Sequence, residues 1–309
     1  MSGTLRIGTR ASALASTQSG HVAEALRTAL GREVELVNVT TEGDVSRQPL
    51  TQMGGTGVFV SALREALLAG EVDLAVHSLK DLPTAEPEGI ALAAVPRRED
   101  PRDALVAGAD RTLGELPVGS RVGTGSPRRV AQLQALGLGL EIVPLRGNVD
   151  TRVAKVRSGE LDGVVLARAG LARLGRVAEV TEALDPLQML PAPGQGALAV
   201  EARADDADLV DAVRTAIDDA DTRACVVAER ILLADLEAGC SAPVGALAEI
   251  VEGDHGPELW IRAAVFSLDG ALAVRRSASG AVADAAAIGH QLAAEMLTEG
   301  AAELLGGTP

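Results

Sequence analysis

A single local pattern recurs along this chain: a short apolar strand, a capping residue, then an amphipathic helix that glycine often closes. "LRIGT" at 5–9 reads as a strand, Ser12 as a helix N-cap, and "ALASTQSGHVAEALRTAL" as a helix ending at Gly31, with "EVELVNVT" as the next strand. "FVSALREALLAG" is a helix closed by Gly70, and "VDLAVHS" a strand that runs into "LKDLP". The pattern returns with "RVGTG" as a strand, Ser126 as N-cap, Pro127 at the first helical position and "RRVAQLQAL" as the helix. "EIVPLRG", "VDTRVAKVRSG" and "LDGVVLARAGL" follow as strand, helix and strand. Such alternation predicts α/β domains with mostly parallel sheets. "RIGT" against "RVGT", and "AGEVDLAV" against "SGELDGVV", suggest an internal duplication. From about residue 219 the texture changes: "DADTRACVVAERILLADLEAG" is a helix, "LWIRAAVFSLDG" with "LAVRRSASG" a hairpin, and "ADAAAIGHQLAAEMLTEGAAELL" a closing helix. This C-terminal part reads as a smaller α+β domain.

Charge then narrows the ligand. The 309 residues carry a formal net charge of -15, so the average field repels nucleic acid and anionic membrane, and neither is expected as a partner. With aromatics at 1% and no Tyr, there is no base-stacking platform. No apolar run of about 18 residues and no signal-like start is visible, which predicts a cytoplasmic protein. Cys225 and Cys240 lack CxxC spacing and the four histidines are scattered, so no metal site is expected.

Against that acidic background, arginines gather at strand-to-helix turns. Arg128 and Arg129 lie in the first turn of a helix, where cations are unfavourable unless an anion arrives. Arg10 precedes Ser12, and Arg146 and Arg152 flank the start of another helix in "LRGNVDTR". Three such turns predict a cationic pocket, and guanidinium forks suit carboxylates and phosphates. "GGTG" at 54–57 lacks the Lys-Ser/Thr ending of a phosphate loop, and no GxGxxG opens a helix, so nucleotides are disfavoured. Cys225 falls among apolar helix residues and reads as core. Cys240 follows Gly239 at a helix C-terminus, where the dipole disfavours a thiolate; it reads as an inert loop thiol or an attachment point.

"RIGTRASALA", "VHSLKDLP", "VGTGSPRR", "LRGNVDTR", "LPAPGQGALAVEAR" and "LEAGCSAPVGA", in this order and over essentially the whole chain, resemble the porphobilinogen deaminase family. The resemblance implies two periplasmic-binding-protein-like α/β domains plus a smaller C-terminal α+β domain, divided as 1–95 with 196–216, 96–195, and 217–309. It implies a monomeric transferase that joins four porphobilinogen molecules head to tail into hydroxymethylbilane, releasing ammonia. It also implies a dipyrromethane cofactor held through a thioether to Cys240. Arg10, Arg128, Arg129, Arg146 and Arg152 match family positions that bind pyrrole carboxylates, and Ser12, Ser78, Lys80, Thr124 and Ser126 match their polar partners. Gln195 and Gly196 match further family positions, and Asp81 matches the catalytic carboxylate, expected to be buried among arginines. There it would stabilise the azafulvene cation left when ammonia departs. Thr56 departs from the pattern, standing where relatives often carry lysine; Arg47 is a candidate substitute. Solute-binding proteins share the two-lobed plan, but a binder has no need of a cleft-facing Cys240, and a periplasmic one needs an export signal.

Overall fold

The computed structural model describes residues 3–39, 57–239, 242–254 and 256–306, without the side chains of 57–59. Thr56, Arg47 and Cys240 lie outside the described residues. The strands are β1 (Leu5–Thr9), β2 (Val34–Asn38), β3 (Leu74–Ser78), β4 (Ile90–Ala94), β5 (Asp103–Ala107), β6 (Arg121–Thr124), β7 (Glu141–Pro144), β8 (Gly163–Ala167), β9 (Glu182–Ala183), β10 (Leu198–Arg203), β11 (Val244–Gly253), β12 (Gly256–Phe266) and β13 (Ala273–Ala281). The chain forms two compact units, 1–99 with 197–223, and 100–196 with 224–309.

The first unit holds a sheet in the order β2-β1-β3-β10-β4. Parallel pairing joins β1 to β2 and β3, while β10 runs antiparallel to both β3 and β4. Its helices follow the capping signals: Ser12 accepts a hydrogen bond from the Ala15 N–H at the start of the helix Ala13–Leu30, and Gly31 closes it in the left-handed region. Leu5, Ile7, Leu74 and Val200 are fully or almost fully buried, in a core shared with Val22 and Leu26. β10 is buried on both faces from Leu198 to Ala202, so it shows no alternation of burial, and Glu201 is the one charged residue in that buried stretch.

The second unit repeats this plan. Its first sheet has the order β7-β6-β8-β5-β9, again with one reversed strand, β5, among strands running the other way. Ile7 and Gly8 pair with Leu74 and Ala75, and Val122 and Gly123 pair with Gly163 and Val164, in the same register. The Arg6 N–H donates to Asp73 at 2.9 Å and the Arg121 N–H to Asp162 at 2.7 Å. Asp73 and Asp162 return backbone hydrogen bonds to the Arg6 and Arg121 carbonyls, both at 2.9 Å. Gly123 sits in close packing: a Cβ there would lie 2.7 Å from the side-chain ends of both Leu145 and Leu161, which would have to shift. The two short sequence repeats are therefore the cores of two copies of one α/β unit.

Four details differ from the sequence reading. β8 ends at Ala167 and the following "RAGLAR" is a helix, Arg168–Arg173, in which every residue but Gly170 is a good helix former. The C-terminal hairpin β12–β13 carries a third strand, β11, on its other side. The helix before Cys240 ends at Asp235, and the left-handed residue is Glu237, with φ 50°, instead of Gly239. The closing helix breaks at Gly300, φ 90°, into Ala285–Thr298 and Ala301–Leu304. Among the described residues no helix is long and apolar enough to cross a membrane.

Candidate anion-binding site

The turn after β6 places the arginine pair. Thr124 ends the strand, buried, and its hydroxyl accepts the Ser126 N–H at 3.3 Å. Gly125 must lack a side chain, since a Cβ would sit 2.5 Å from the Leu145 carbonyl oxygen. Ser126 occupies the N-cap position and Pro127 opens the helix Pro127–Ala135, although the Ser126 side chain makes no capping hydrogen bond.

Arg128 and Arg129 are not solvated: they are 3% and 6% exposed. Both converge on Asp103, the first residue of β5, which is fully buried. Arg128 Nη1 donates to Asp103 Oδ2 at 2.8 Å and also to the Leu190 carbonyl. Arg129 donates through Nε at 3.1 Å and Nη2 at 2.7 Å to Asp103 Oδ1, and through Nη1 at 3.0 Å to the Val165 carbonyl. The Gln195 amide gives Asp103 Oδ1 a further hydrogen bond at 2.9 Å, and one of 2.7 Å to the Pro101 carbonyl. Burial opposes the charge on Asp103, but the two guanidinium groups outweigh it and hold the carboxyl well below the usual carboxylate range.

Two guanidinium groups share one carboxylate, so the cluster carries an excess positive charge. Burial lowers the Arg128 pKa, with Arg129 acting in the same direction and Asp103 opposing both. Arg152 is also lowered, by burial and then by Arg129, so a third cation lies within electrostatic reach. Arg128 Nε is buried with no hydrogen-bond partner among the described residues. A buried cationic group with an orphaned donor fits an anionic ligand. Arg146, by contrast, is exposed, and Gly196 turns at φ 89° with its carbonyl accepting from Arg173 at 2.6 Å.

The first unit contributes a different turn. Ser78 ends β3, and Leu79–Asp81 form a short 3-10 turn pinned by buried Leu79, whose N–H donates to the Ala197 carbonyl at 3.0 Å. Lys80 and Asp81 are thereby half-buried side by side at the carboxyl end of a parallel strand, where ligands of open α/β sheets bind. Asp81 is thus less enclosed than the sequence reading expects, and among the described residues no arginine pairs with it. On the β1 side, the Arg10 carbonyl accepts the Thr9 and Ser16 hydroxyls, each at 3.3 Å, just before Ser12.

Beneath the Asp81 turn, Glu201 of β10 is 3% exposed and accepts from Arg64 at 3.0 and 2.6 Å, with His77 Nε2 at 3.2 Å. Burial alone would raise the Glu201 pKa; the His77 and Arg64 interactions prevail and hold it at about 2. A depressed carboxyl pKa contributes stability above the unfolded value that is lost as pH falls from about 4.5 through about 2. Thermal unfolding should therefore show stability falling across that window, with Glu201→Gln less stable at neutral pH but flatter in acid. Parallel pH profiles for parent and variant would contradict this.

Sequence reasoning missed Asp103. It expected the anion near Arg128 and Arg129 to be the ligand alone, whereas part of the countercharge is built in. The available signal was "DPRDALVA", an acid directly before an apolar strand, but its partners lie 25, 26 and 92 positions away.

Comparison with known proteins adds independent findings. A family profile described as "Porphobilinogen deaminase, dipyromethane cofactor binding domain" matches residues 5–211, and one described as "Porphobilinogen deaminase, C-terminal domain" matches 223–298. The chain is similar to porphobilinogen deaminase 1 of Streptomyces avermitilis, 60% identical over 98% of this chain and 97% of that one. It is similar also to porphobilinogen deaminase of Mycobacterium bovis, 60% identical over 98% and 99%. Among solved structures, the methionine binding protein MetQ matches 69% of this chain and 89% of its own, at 15% identity and a TM-score of 0.43.

Proposed function

The chain belongs to the porphobilinogen deaminase family, and from this premise we propose how its own residues carry the family's reaction. That reaction is the head-to-tail joining of four porphobilinogen molecules into hydroxymethylbilane with release of ammonia, on a dipyrromethane cofactor. The observation that carries the assignment of residues is the buried Arg128–Arg129–Asp103 cluster, with its excess positive charge and orphaned Arg128 Nε.

Each pyrrole unit bears an acetate and a propionate, so cofactor and growing chain present a row of carboxylates. Arg128 and Arg129 hold cofactor carboxylates in this reading, with Thr124, Ser126, Gln195 and Gly196 lining the same site. Arg10, Arg146, Arg152, Ser12, Ser78 and Lys80 take the carboxylates of incoming substrate. A charge-assisted hydrogen bond of this kind contributes roughly 1.5 to 3 kcal/mol. Cys240 attaches the cofactor through a thioether. When bound, the dipyrromethane supplies the pyrrole carbon to which the first substrate unit is joined.

Asp81 is the catalytic residue. Loss of ammonia from the aminomethyl carbon of porphobilinogen leaves a cation delocalised over the pyrrole ring, and a carboxylate placed on the ring N–H stabilises that charge as it develops. A half-buried turn pinned from below by Leu79 suits this role, because the backbone that carries Asp81 is fixed while its carboxylate has no partner among the described residues. We extend the reading to a cytoplasmic monomer with three domains, 1–95 with 196–216, 96–195 and 217–309.

An intact mass spectrum tests the proposal. Purified protein is expected to exceed its sequence mass by one dipyrromethane unit and to give a colour reaction with an acidic aldehyde reagent for pyrroles. Fully active protein at its unmodified sequence mass would overturn it.

A further inference from the structure

The roles proposed above give Asp103 no contact with substrate, yet it is the fully buried carboxylate on which the arginine pair closes. Three segments distant in sequence meet on it: the start of β5, the first turn of the helix Pro127–Ala135, and the strap that carries Gln195. That strap is itself fixed on both sides. Gln132 exchanges hydrogen bonds with Leu190, at 3.0 and 2.8 Å. Ala246 N–H of β11 donates to the Pro191 carbonyl at 3.0 Å. Buried Glu229 accepts the Gly194 N–H at 2.6 Å and the Ala248 N–H at 2.8 Å.

We propose that Asp103 is the positioning residue of the anion site, a resident carboxylate that fixes Arg128 and Arg129 in the cofactor-free protein and leaves the pair one positive charge for the ligand. The inference rests on the reading of the arginines as cofactor-binding. With no carboxylate at this position, two buried guanidinium groups would repel each other and lose their alignment. With a second one, the cluster would be neutral and would have little attraction for a pyrrole carboxylate. One aspartate satisfies both demands, and ordering two long side chains before the ligand arrives removes that entropic cost from binding. Gln195 supports the same function by donating to Oδ1, the oxygen that Arg129 grips twice.

A second aspartate offers an internal control. Asp100 is bracketed by Arg102, at 2.7 Å, and Arg168, at 3.1 Å, and takes no part in the Arg128–Arg129 pair. The experiment produces parent, Asp103→Asn, Asp103→Glu and Asp100→Asn in cells that make no porphobilinogen, then adds porphobilinogen and follows the gain of cofactor mass. Circular dichroism confirms folding of each. We expect Asp103→Asn to load at least about tenfold more slowly than parent, Asp103→Glu to be intermediate, and Asp100→Asn to load like parent. Parent-like loading by Asp103→Asn, or an equal defect in Asp100→Asn, overturns the proposal. If Asp103→Asn does not fold, Asp103→Glu decides: slowed loading by folded protein supports it and parent-like loading overturns it. A parent that gains no mass overturns the cofactor reading, and this inference with it.

Discussion

Asp81→Asn is expected to bind porphobilinogen within a few-fold of parent and to release ammonia at least about a hundredfold more slowly, the loss typical of removing one preorganised electrostatic group. Asparagine keeps the volume and one hydrogen-bond acceptor, so ground-state binding survives. It lacks the charge that the departing ammonia makes necessary. Because no described residue donates to Asp81, the substitution strands no buried partner, and its effect on stability should stay within about 0.5 kcal/mol. Asp81→Glu keeps the charge on a longer arm and should retain part of the rate. Single-turnover ammonia release on cofactor-loaded protein makes the measurement, and a parental rate in Asp81→Asn would leave Asp81 a structural residue.

Cys240→Ser should abolish the covalent cofactor altogether. A hydroxyl is a far weaker nucleophile than a thiolate at neutral pH, so the variant should appear at its bare sequence mass, without the aldehyde colour and without turnover. Cys225→Ala is the matched control. Cys225 is buried among Ala228, Leu232 and other core residues, so its truncation should keep the adduct and cost about 1 kcal/mol in stability. An adduct retained in Cys240→Ser would place the attachment elsewhere.

What could be read in advance was what local chemistry determines. Ser12, Gly31, Gly70 and Pro127 announce helix ends because caps and turns act over three or four residues, and each does so in the structure. The Leu79–Asp81 turn was likewise legible, since "HSLKDLP" follows a strand and must leave the sheet there. The reversed strands were not. The resemblance implies that "ALAVEAR" returns to the first domain, but nothing local gives its antiparallel place between β3 and β4, more than a hundred residues after β3. Asp103 escaped for the same reason: an aspartate at a strand start looks like any solvated acid until the arginines are brought to it. Glu237 shows the reverse case, a local rule overridden, with a non-glycine residue taking the left-handed position although Gly239 was two residues away.

The two matching sheets bear on how such an enzyme can change. In equivalent registers Ser78 faces Leu198 and Ala167 faces Asp103. Where one copy sets Lys80 and Asp81 on the turn beyond its strand, the other has Ala169 and Gly170. Where one buries Glu201 and His77, the other buries Val106 and Leu166. The same frame thus tolerates an acid at either of two depths, and each copy has kept a different one. Substitutions around Glu201 in the first copy and around Asp103 in the second therefore fall in separate hydrophobic cores, and their stability costs should add with little interference. On the roles proposed above, the arginine pair of one copy can be varied without touching the core that carries the Asp81 turn of the other.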